Sequence, residues 1–448
     1  MNVGLISCDD QTIRERVQAA GVVGAGGAGF PAGGKLAPGA NTLIINGAEC
    51  EPLMDTDYTI LREHLTEVIA GAKAMMEAAG IACGYLGIKA HNVKRLGLAD
   101  GQKLAENFRV AQLPDVYPIG DEISLIYQIT GRIVRPGSLP ITAGVIVYNV
   151  ETIYNICRWL CDKKPVYEKW LTIGGDIPQH KVIKVPVGTA VRDIFTEYGV
   201  KVPEGYVVLD GGPSMGKIIT WQTAVVSKTT KAILVLPEDI PAIVSKNPNL
   251  ERQVARAASC CCQCTACTER CPRALLGYPL EPHRMVRSMT SVAEEDPDLV
   301  LTASLCCGCG ICEMASCCQG LSPRNVIAHY KKVLAQKGLK YQSNVDVVPD
   351  EMRDARMLPS YRWMAMLGVD TFDVAPDYER EAYRPEKIFI AYKQHIGAPA
   401  VACVEVGDAV KTGDVVAVKN RGLSIGMHSG IDGVVTAVDE LGITIERK

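Results

Sequence analysis

The sequence is poor in aromatic residues, in net charge and in long apolar runs. Phe, Trp and Tyr make up 6% of its 448 residues, and the formal net charge is −3. The small number of aromatic side chains argues against a base-stacking surface. The absence of a net positive charge argues against a nucleic-acid partner. No apolar run reaches the roughly 18 residues that a membrane helix needs, and residues 1–20 lack the apolar core of a signal peptide. These absences predict a cytoplasmic protein with no transmembrane segment.

The sequence also lacks the constellations of nucleophilic catalysis. No Ser/His/Asp or Cys/His arrangement is apparent, and the histidines show no metal-ligand spacing. Hydrophobic residues at 48% and charged residues at 22% have the balance of a globular protein that can bury several cores. The length is typical of about three or four domains. We therefore expect a multidomain protein without an activated nucleophile.

Cysteine, in contrast, is abundant, and twelve of the 18 cysteines fall between positions 260 and 318. The first group has the spacing CxxCxxCxxxCP, which binds iron–sulfur clusters in bacterial ferredoxins. A zinc site needs only four ligands without this order, and disulfides need an oxidising compartment. The first group therefore predicts one [4Fe–4S] cluster. Its predicted ligands are Cys261, Cys264, Cys267 and Cys271.

The second cysteine group fits the ferredoxin spacing less closely, yet it also predicts a [4Fe–4S] cluster. Its last gap has four residues instead of three, and Cys318 replaces the expected proline. Its predicted ligands are Cys306, Cys309, Cys312 and Cys317. In two-cluster ferredoxins the fourth cysteine of each run binds the other cluster, so Cys271 and Cys317 can cross over. Four further cysteines are either alternative ligands or idle thiols: Cys260, Cys262, Cys307 and Cys318.

Glycine is concentrated in the segment GAGGAGFPAGGK, residues 24–35. Glycines without side chains let backbone N–H groups approach a phosphate closely, and Lys35 would add positive charge. The spacing is neither that of a Walker loop nor that of a Rossmann fingerprint. Taken alone, the segment is either a phosphate-binding loop or a flexible turn.

Three polar turns follow, with the sequences NGAECEP (46–52), YPIGDE (117–122) and VYNVET (147–152). The first ends a predicted buried strand over residues 42–46 and precedes a predicted helix over 57–79. Because α/β proteins place ligands at the carboxyl ends of strands, these turns indicate a binding site.

The glycine segment and the three turns together resemble the NADH-oxidising flavin subunit of respiratory complex I. They resemble the RnfC component of the Rnf electron-transport complex more closely still, over residues from about 20 to 160. The resemblance implies that the four segments enclose FMN and the nicotinamide of NADH. Two positions depart from complex I: Ala48 stands where complex I has an aspartate, and Leu36 begins a stretch where it has a second aromatic residue.

Carried over position by position, the resemblance gives each site residue an expected role. The residues expected to hold FMN phosphate or ribityl oxygens are Gly24, Gly26, Gly27 and Lys35. Those expected to line the flavin are Asn46, Glu49, Gly120, Asn149 and Thr152. Those expected to face the dinucleotide are Phe30, Glu51 and Glu122, with Glu122 as the catalytic residue.

The remaining segments resemble further modules of the same superfamily. Residues 166–245 resemble an SLBB β-grasp domain, and residues 385–448 resemble a lipoyl-like barrel-sandwich hybrid domain without a lysine to lipoylate. The predicted fold is therefore multidomain α/β. Its predicted order is an FMN/NADH-binding domain (1–165), the β-grasp domain, a helical two-cluster ferredoxin domain (246–345), a linker (346–384) and the barrel-sandwich domain.

The barrel-sandwich segment, which starts with QHIGAP (394–399), precedes the flavin domain in the Rnf protein but follows it here. This order resembles the cobalamin reductases of propanediol-utilisation microcompartments along nearly the whole chain. The resemblance implies that NADH is the donor and that electrons pass through FMN and two [4Fe–4S] clusters to a corrinoid. It also implies an adenosyltransferase or diol dehydratase system and shell proteins as partners, within a microcompartment. The alternative is an Rnf-type subunit that passes electrons to a membrane complex or to ferredoxin.

Overall fold

The structure, a computed structural model, describes residues 10–246, 249–290 and 296–448. Four packed units follow one another along the chain, and residues 346–384 run between the third and the fourth. Among the residues described, no helix is both long enough and apolar enough to span a bilayer.

The first unit is an α/β domain built around a five-stranded sheet of order β3-β4-β2-β1-β6, in which only β3 is antiparallel to its neighbour. Its strands are β1 (Thr42–Gly47), β2 (Cys83–Lys89), β3 (Lys103–Ala105), β4 (Phe108–Leu113) and β6 (Val145–Asn149), with β5 (Val116–Tyr117) outside the sheet. Its helices are α1 (Asp10–Ala19), α2 (Thr56–Ala78), α3 (Ala90–Arg95), α4 (Glu122–Thr130) and α5 (Val150–Asp162). The strand and the long helix predicted from the apolar pattern are confirmed as β1 and α2.

The carboxyl ends of β1 and β6 lie side by side, because the two strands pair in parallel with Asn46 opposite Asn149. The NGAECEP and VYNVET turns therefore meet at one edge of the sheet, as the strand-end argument predicts. Helices α2 and α5 cover one face of this sheet and share a core with it, which includes Leu43, Ile60 and Ile153.

The second unit is a mixed sheet covered by one helix, the arrangement expected of a β-grasp domain. Its elements are β7 (Glu168–Gly175), β8 (Lys181–Pro186), α6 (Val191–Glu197), β9 (Tyr206–Asp210), β10 (Lys217–Ile219), β11 (Ala232–Pro237) and α7 (Pro241–Val244). Helix α6 packs on the sheet through Val191, Ile194 and Phe195, which share a core with β7 and β8.

The third unit is helical and carries both cysteine groups, in agreement with the predicted helical ferredoxin domain. Its helices are α8 (Leu250–Cys260), α9 (Ala266–Glu269), α10 (Pro282–Ser288), α11 (Pro297–Leu301), α12 (Ile311–Met314) and α13 (Pro323–Gln336). Their apolar core, which includes Leu280, Met285 and Ile327, packs directly against Cys271.

Residues 346–384, which we predicted to be a linker, are packed structure in their own right. They contain β12 (Leu358–Pro359), α14 (Ser360–Leu367) and β13 (Asp377–Tyr378). Strand β12 pairs with β5 of the first unit, and β13 extends the sheet of the second unit beside β8. This segment therefore fastens the first two units to the rest of the chain.

The fourth unit is a sandwich of two small sheets, of order β14-β20-β19-β16 and β15-β17-β18. Its strands are β14 (Lys387–Ala391), β15 (Val401–Ala402), β16 (Ala409–Val410), β17 (Val415–Val418), β18 (Met427–His428), β19 (Gly433–Val438) and β20 (Gly442–Arg447). Alternating apolar residues of both sheets form its core, including Ile390, Val416 and Ile443. This is the architecture that the resemblance of residues 385–448 to a barrel-sandwich hybrid domain predicts.

Candidate functional site

The glycine-rich segment forms a closed loop on the surface of the first unit. A β-bridge between Val23 and Pro31 closes it, and the Gly24 N–H donates to the Phe30 carbonyl oxygen at 2.9 Å. A Cβ at Gly26 would lie 3.0 Å from the Asn149 amide, whereas a Cβ at Gly27 would meet no atom of the described residues within 4 Å. The loop therefore presents open backbone at Gly27, which fits a ligand that approaches its N–H groups.

Lys35, at the end of the loop, forms an ion pair with Glu122 at the start of α4. The Lys35 Nζ lies 2.9 Å from the Glu122 Oε1 and 2.9 Å from the carbonyl oxygen of Val147, and both side chains remain partly exposed. The predicted phosphate-binding cation and the predicted catalytic carboxylate are thus brought together. A bound phosphate would compete with Glu122 for Lys35.

The other predicted flavin contacts tie the turns to one another. The Asn46 amide donates to the Gly120 carbonyl at 2.9 Å, and the Asn149 amide donates to Asp57 at 2.8 Å. Buried Thr152 accepts a hydrogen bond from the Ala25 N–H at 3.0 Å. The structure therefore collects the predicted loop and all three turns at one edge of the sheet.

Glu49 has a second task that the sequence did not indicate. Its carboxylate accepts the N–H groups of Asp57 and Tyr58, at 2.8 and 3.0 Å, and so caps the amino terminus of α2. Burial, reinforced by the nearby Asp57, raises the pKa of Glu49 to about 8. Asp57 in turn pairs with Lys231 of the second unit. Through Asp57, Glu49 therefore connects this edge of the sheet to the second unit.

Glu51 forms its hydrogen bonds with the second unit and not with the glycine loop. Its carboxylate accepts the N–H groups of Ser214 and Met215, both at 2.9 Å, in the glycine-rich turn of the second unit. A Cβ at Gly212 would collide with this carboxylate. The structure thus gives Glu51 a domain-joining contact that sequence reasoning missed, while its predicted contact with the dinucleotide stays a prediction.

The cysteines line two separate cavities in the third unit. The inner cavity is lined by Cys271 of the first group together with Cys306, Cys307, Cys309 and Cys312 of the second. Burial raises the pKa of Cys271 to about 12. A buried thiol of this kind is a weak acid on its own, but it ionises when it binds a metal. The donor set therefore fits a cluster whose fourth ligand crosses over from the first group.

The outer cavity is lined by the remaining cysteines of the first group and by two from the second group. It is lined by Cys261, Cys262, Cys264, Cys267, Cys317 and Cys318. At its rim the sulfur atoms of Cys262, Cys264 and Cys318 lie within 4.8 Å of one another, and all three residues are exposed. The fourth ligand is thus available from the second group, and both adjacent cysteine pairs, 261/262 and 317/318, remain candidates.

The inner cavity adjoins the YPIGDE turn of the flavin unit. The Tyr117 hydroxyl donates to the Cys309 carbonyl oxygen at 2.8 Å, and Arg273, two residues after Cys271, pairs with Asp121 at 2.8 Å. The Tyr117 ring also stacks on Trp363 of α14, with ring centroids 4.6 Å apart. The sequence indicated that Tyr117 and Asp121 belong to a turn at the candidate site, but it did not indicate that they contact the cysteine-rich unit.

Comparisons with known families agree with this architecture. Residues 17–158 match the Nuo51 FMN-binding domain, residues 260–322 a 4Fe-4S dicluster domain, and residues 379–448 the RnfC barrel sandwich hybrid domain. These matches confirm the predicted flavin, two-cluster and barrel-sandwich domains.

Individual relatives extend the likeness to the whole chain. The chain is 38% identical to the cobalamin reductase PduS of Citrobacter freundii, over 98% of this chain and 97% of the relative. It is also 38% identical to that of Salmonella typhimurium, over 99% and 97%. A component of the Na⁺-translocating ferredoxin:NAD⁺ oxidoreductase complex of Acetobacterium woodii is 32% identical, over 59% and 58%. The chain, with its flavin domain, its paired cysteine cavities and its carboxyl-terminal barrel sandwich, belongs to the PduS family.

Proposed function

We propose that this protein oxidises NADH through FMN and two [4Fe–4S] clusters and reduces a corrinoid. The observation that carries the proposal is the 38% identity, along nearly the full length of both chains, to proteins named cobalamin reductase. The flavin and dicluster domains supply the cofactors that such a reaction needs. The protein is thus an NADH-dependent flavoprotein oxidoreductase.

When bound, the cofactors would supply the redox chemistry, which is hydride acceptance and release of single electrons for FMN and single-electron transfer for the clusters. The chain binds and orients them. The open backbone at Gly27 and the Lys35 ammonium are placed to hold a phosphate. The Thr152 hydroxyl supports the loop by accepting a hydrogen bond from the Ala25 N–H.

Glu122 and Phe30 are the residues we propose to meet the nicotinamide dinucleotide. Support comes from the 2.9 Å ion pair, which sets Glu122 beside the loop that carries Phe30. When a phosphate engages Lys35, the Glu122 carboxylate is released to orient the donor. Glu51 contacts the second unit, and its role at the dinucleotide stays a prediction.

The two cavities differ in their neighbours, and this supports an order for the electron path. The inner cavity touches the flavin unit through Tyr117 and Asp121, whereas the rim of the outer cavity is exposed. Electrons from the flavin would therefore reach the inner site first and leave from the outer site, where a bulky acceptor can approach.

Partners and location follow from the same family membership. We propose that the acceptor is a corrinoid held by an adenosyltransferase or by the diol dehydratase system, and that the protein works beside shell proteins within a microcompartment. The Rnf-type alternative has less support, because the Rnf-type relative from A. woodii matches only 59% of this chain.

The proposal is tested by anaerobic purification followed by a cofactor assay and a paired rate measurement. We expect FMN, about eight iron atoms per chain as two [4Fe–4S] centres require, and NADH-driven reduction of cob(III)alamin. Reduction of a generic dye and of ferredoxin is measured in the same preparation. Rapid reduction of ferredoxin without any reduction of cobalamin would favour the Rnf-type function and overturn the corrinoid assignment.

A further inference from the structure

A cleft opens where the flavin unit, the ferredoxin unit and the segment 346–384 meet. It is an open cleft, and the roughly 390 Å³ of space between its walls includes bulk solvent. Its apolar walls come from all three parts of the chain, including Tyr117 and Ile119, Pro272 and Leu275, and Leu358. None of the roles proposed above uses this space.

The charge that lines the cleft is of one sign. Three arginines, Arg270, Arg353 and Arg356, line it, and none of the described residues along its walls is Asp or Glu. An apolar cleft with only cations at its edge favours a ligand that is partly apolar and carries negative charge.

The three arginines differ in how many contacts their side chains make with the rest of the protein. Arg353 is buried, pairs with Asp354 at 2.7 Å, donates to Gln128 at 3.1 Å and packs over the ring of Tyr127. It is therefore a fixed part of the wall.

The other two arginines have looser contacts. Arg356 lies 3.5 Å from a carboxylate oxygen of Glu269 and 3.7 Å from one of Asp350, longer than a strong charge-assisted hydrogen bond. Arg270 donates to the carbonyl oxygen of Ala315. Because a guanidinium carries five N–H donors, both side chains keep donors for a ligand.

We propose that this cleft binds a small molecule that carries an oxyanion, a carboxylate or a phosphate, on an apolar body. Arg270 and Arg356 would hold the oxyanion, because the guanidinium fork matches carboxylate and phosphate oxygens. The apolar body would lie along Ile119, Leu275 and Leu358.

Binding in the cleft has a consequence for the inner cysteine cavity, and this part rests on the proposed function. Pro272 in the cleft wall follows Cys271 directly, and Tyr117 in the opposite wall donates to the Cys309 carbonyl. An anion beside these residues offsets the positive potential of the arginines. The inner cluster would then become harder to reduce, since reduction adds negative charge.

Calorimetry on the FMN-loaded, cluster-loaded protein tests the site. Phenyl phosphate and benzoate are titrated as probes that join an oxyanion to an apolar body, with inorganic phosphate alone for comparison. We expect phenyl phosphate to bind at least tenfold more weakly to Arg270→Gln and Arg356→Gln than to the wild type. Arg362→Gln, an exposed arginine on α14 outside the cleft, serves as the matched control and should bind normally.

Arg356→Lys separates charge from geometry: it keeps the charge but loses the fork, and we expect intermediate affinity. A wild type that binds neither organic probe, or glutamine variants that bind as well as the wild type, would overturn the proposed site.

A redox titration followed by EPR then measures the reduction potential of the inner cluster with and without phenyl phosphate. Binding without a shift would overturn the coupling alone. Binding in a protein that fails to reduce cobalamin would retain the cleft and reject the corrinoid reaction.

Discussion

Gly27 is the residue where the flavin assignment can be tested with least damage to the fold. Among the described residues, a Cβ there meets no atom within 4 Å, so we expect the free protein to accommodate a larger side chain that would collide with a ligand. We expect a graded loss of FMN through Gly27→Ala, Gly27→Val and Gly27→Phe, with an unchanged thermal midpoint of the flavin-free protein. Flavin released on denaturation and counted per chain is the measurement. Full FMN content in Gly27→Phe would show that the ligand lies elsewhere.

Lys228 gives a prediction about pH. Its ammonium is buried where three units meet and donates to the carbonyl oxygens of Gly21 and Gly426, at 2.8 and 3.1 Å. Burial lowers the pKa of Lys228 from 10.5 to about 7. The folded state therefore favours the neutral amine, the unfolded chain holds more protons between these values, and stability from this group rises with pH from about 7 towards 10.5.

Replacing Lys228 by methionine removes this titration. The free energy of unfolding, measured by denaturant titration at several pH values between 7 and 10, should rise less steeply with pH for Lys228→Met than for the wild type, by up to about 1.4 kcal/mol per pH unit. Loss of the two hydrogen bonds lowers stability at every pH, so the slope is the quantity that matters. Parallel pH profiles for the two proteins would contradict the assigned charge state.

At the scale of elements, the Glu51 carboxylate holds the turn after β9 against the NGAECEP turn. Glu51→Ala would leave the N–H groups of Ser214 and Met215 without their acceptor, which typically costs about 1–3 kcal/mol. We expect a lower thermal midpoint and an almost unchanged KM for NADH. If the variant keeps its stability and loses affinity for NADH, Glu51 faces the dinucleotide as the family resemblance implies.

The crossover of the cysteine runs is tested by pairing mutations. Each of Cys264→Ala, Cys271→Ala and Cys309→Ala should lower the iron content from about eight to about four per chain, as expected for loss of one [4Fe–4S] cluster. Because Cys271 and Cys309 line the same cavity, their double variant should still hold about four. The double variant of Cys264 and Cys271 should hold almost none. The opposite pattern would show that each run holds its own cluster.

Local sequence patterns predicted the helices, strands and loops of this protein, but they did not predict the contacts between distant elements. The glycine loop, strand β1, helix α2 and the cysteine spacing each depend on residues that are close in sequence, where periodicity and backbone chemistry act directly. The contacts between Glu51 and Ser214, or between Asp121 and Arg273, join residues more than a hundred positions apart. No spacing rule indicates such partners, and the packed segment with Trp363 was predicted as a linker for the same reason.

At the scale of the whole molecule, the proposed electron path runs from the flavin unit to the inner cavity, which contacts that unit through Tyr117, and then to the outer cavity, whose rim is exposed. Cys309 is well placed to test this order, because Tyr117 binds its backbone carbonyl and not its sulfur. Cys309→Ala therefore removes a proposed cluster ligand without removing the hydrogen bond between Tyr117 and the backbone of residue 309. Glu122→Gln acts at the other end of the path, where the side chain meets Lys35.

The most direct measurement is stopped-flow spectroscopy of these two variants and the wild type, at the flavin band and on cobalamin in the same preparations. We predict that Glu122→Gln slows flavin bleaching by NADH, because an interaction specific to the reacting complex is lost. We predict that Cys309→Ala, with FMN retained, bleaches at nearly the wild-type rate but transfers electrons to cobalamin much more slowly. Reduction of cobalamin by Cys309→Ala at the wild-type rate would contradict a path that runs through the inner cluster.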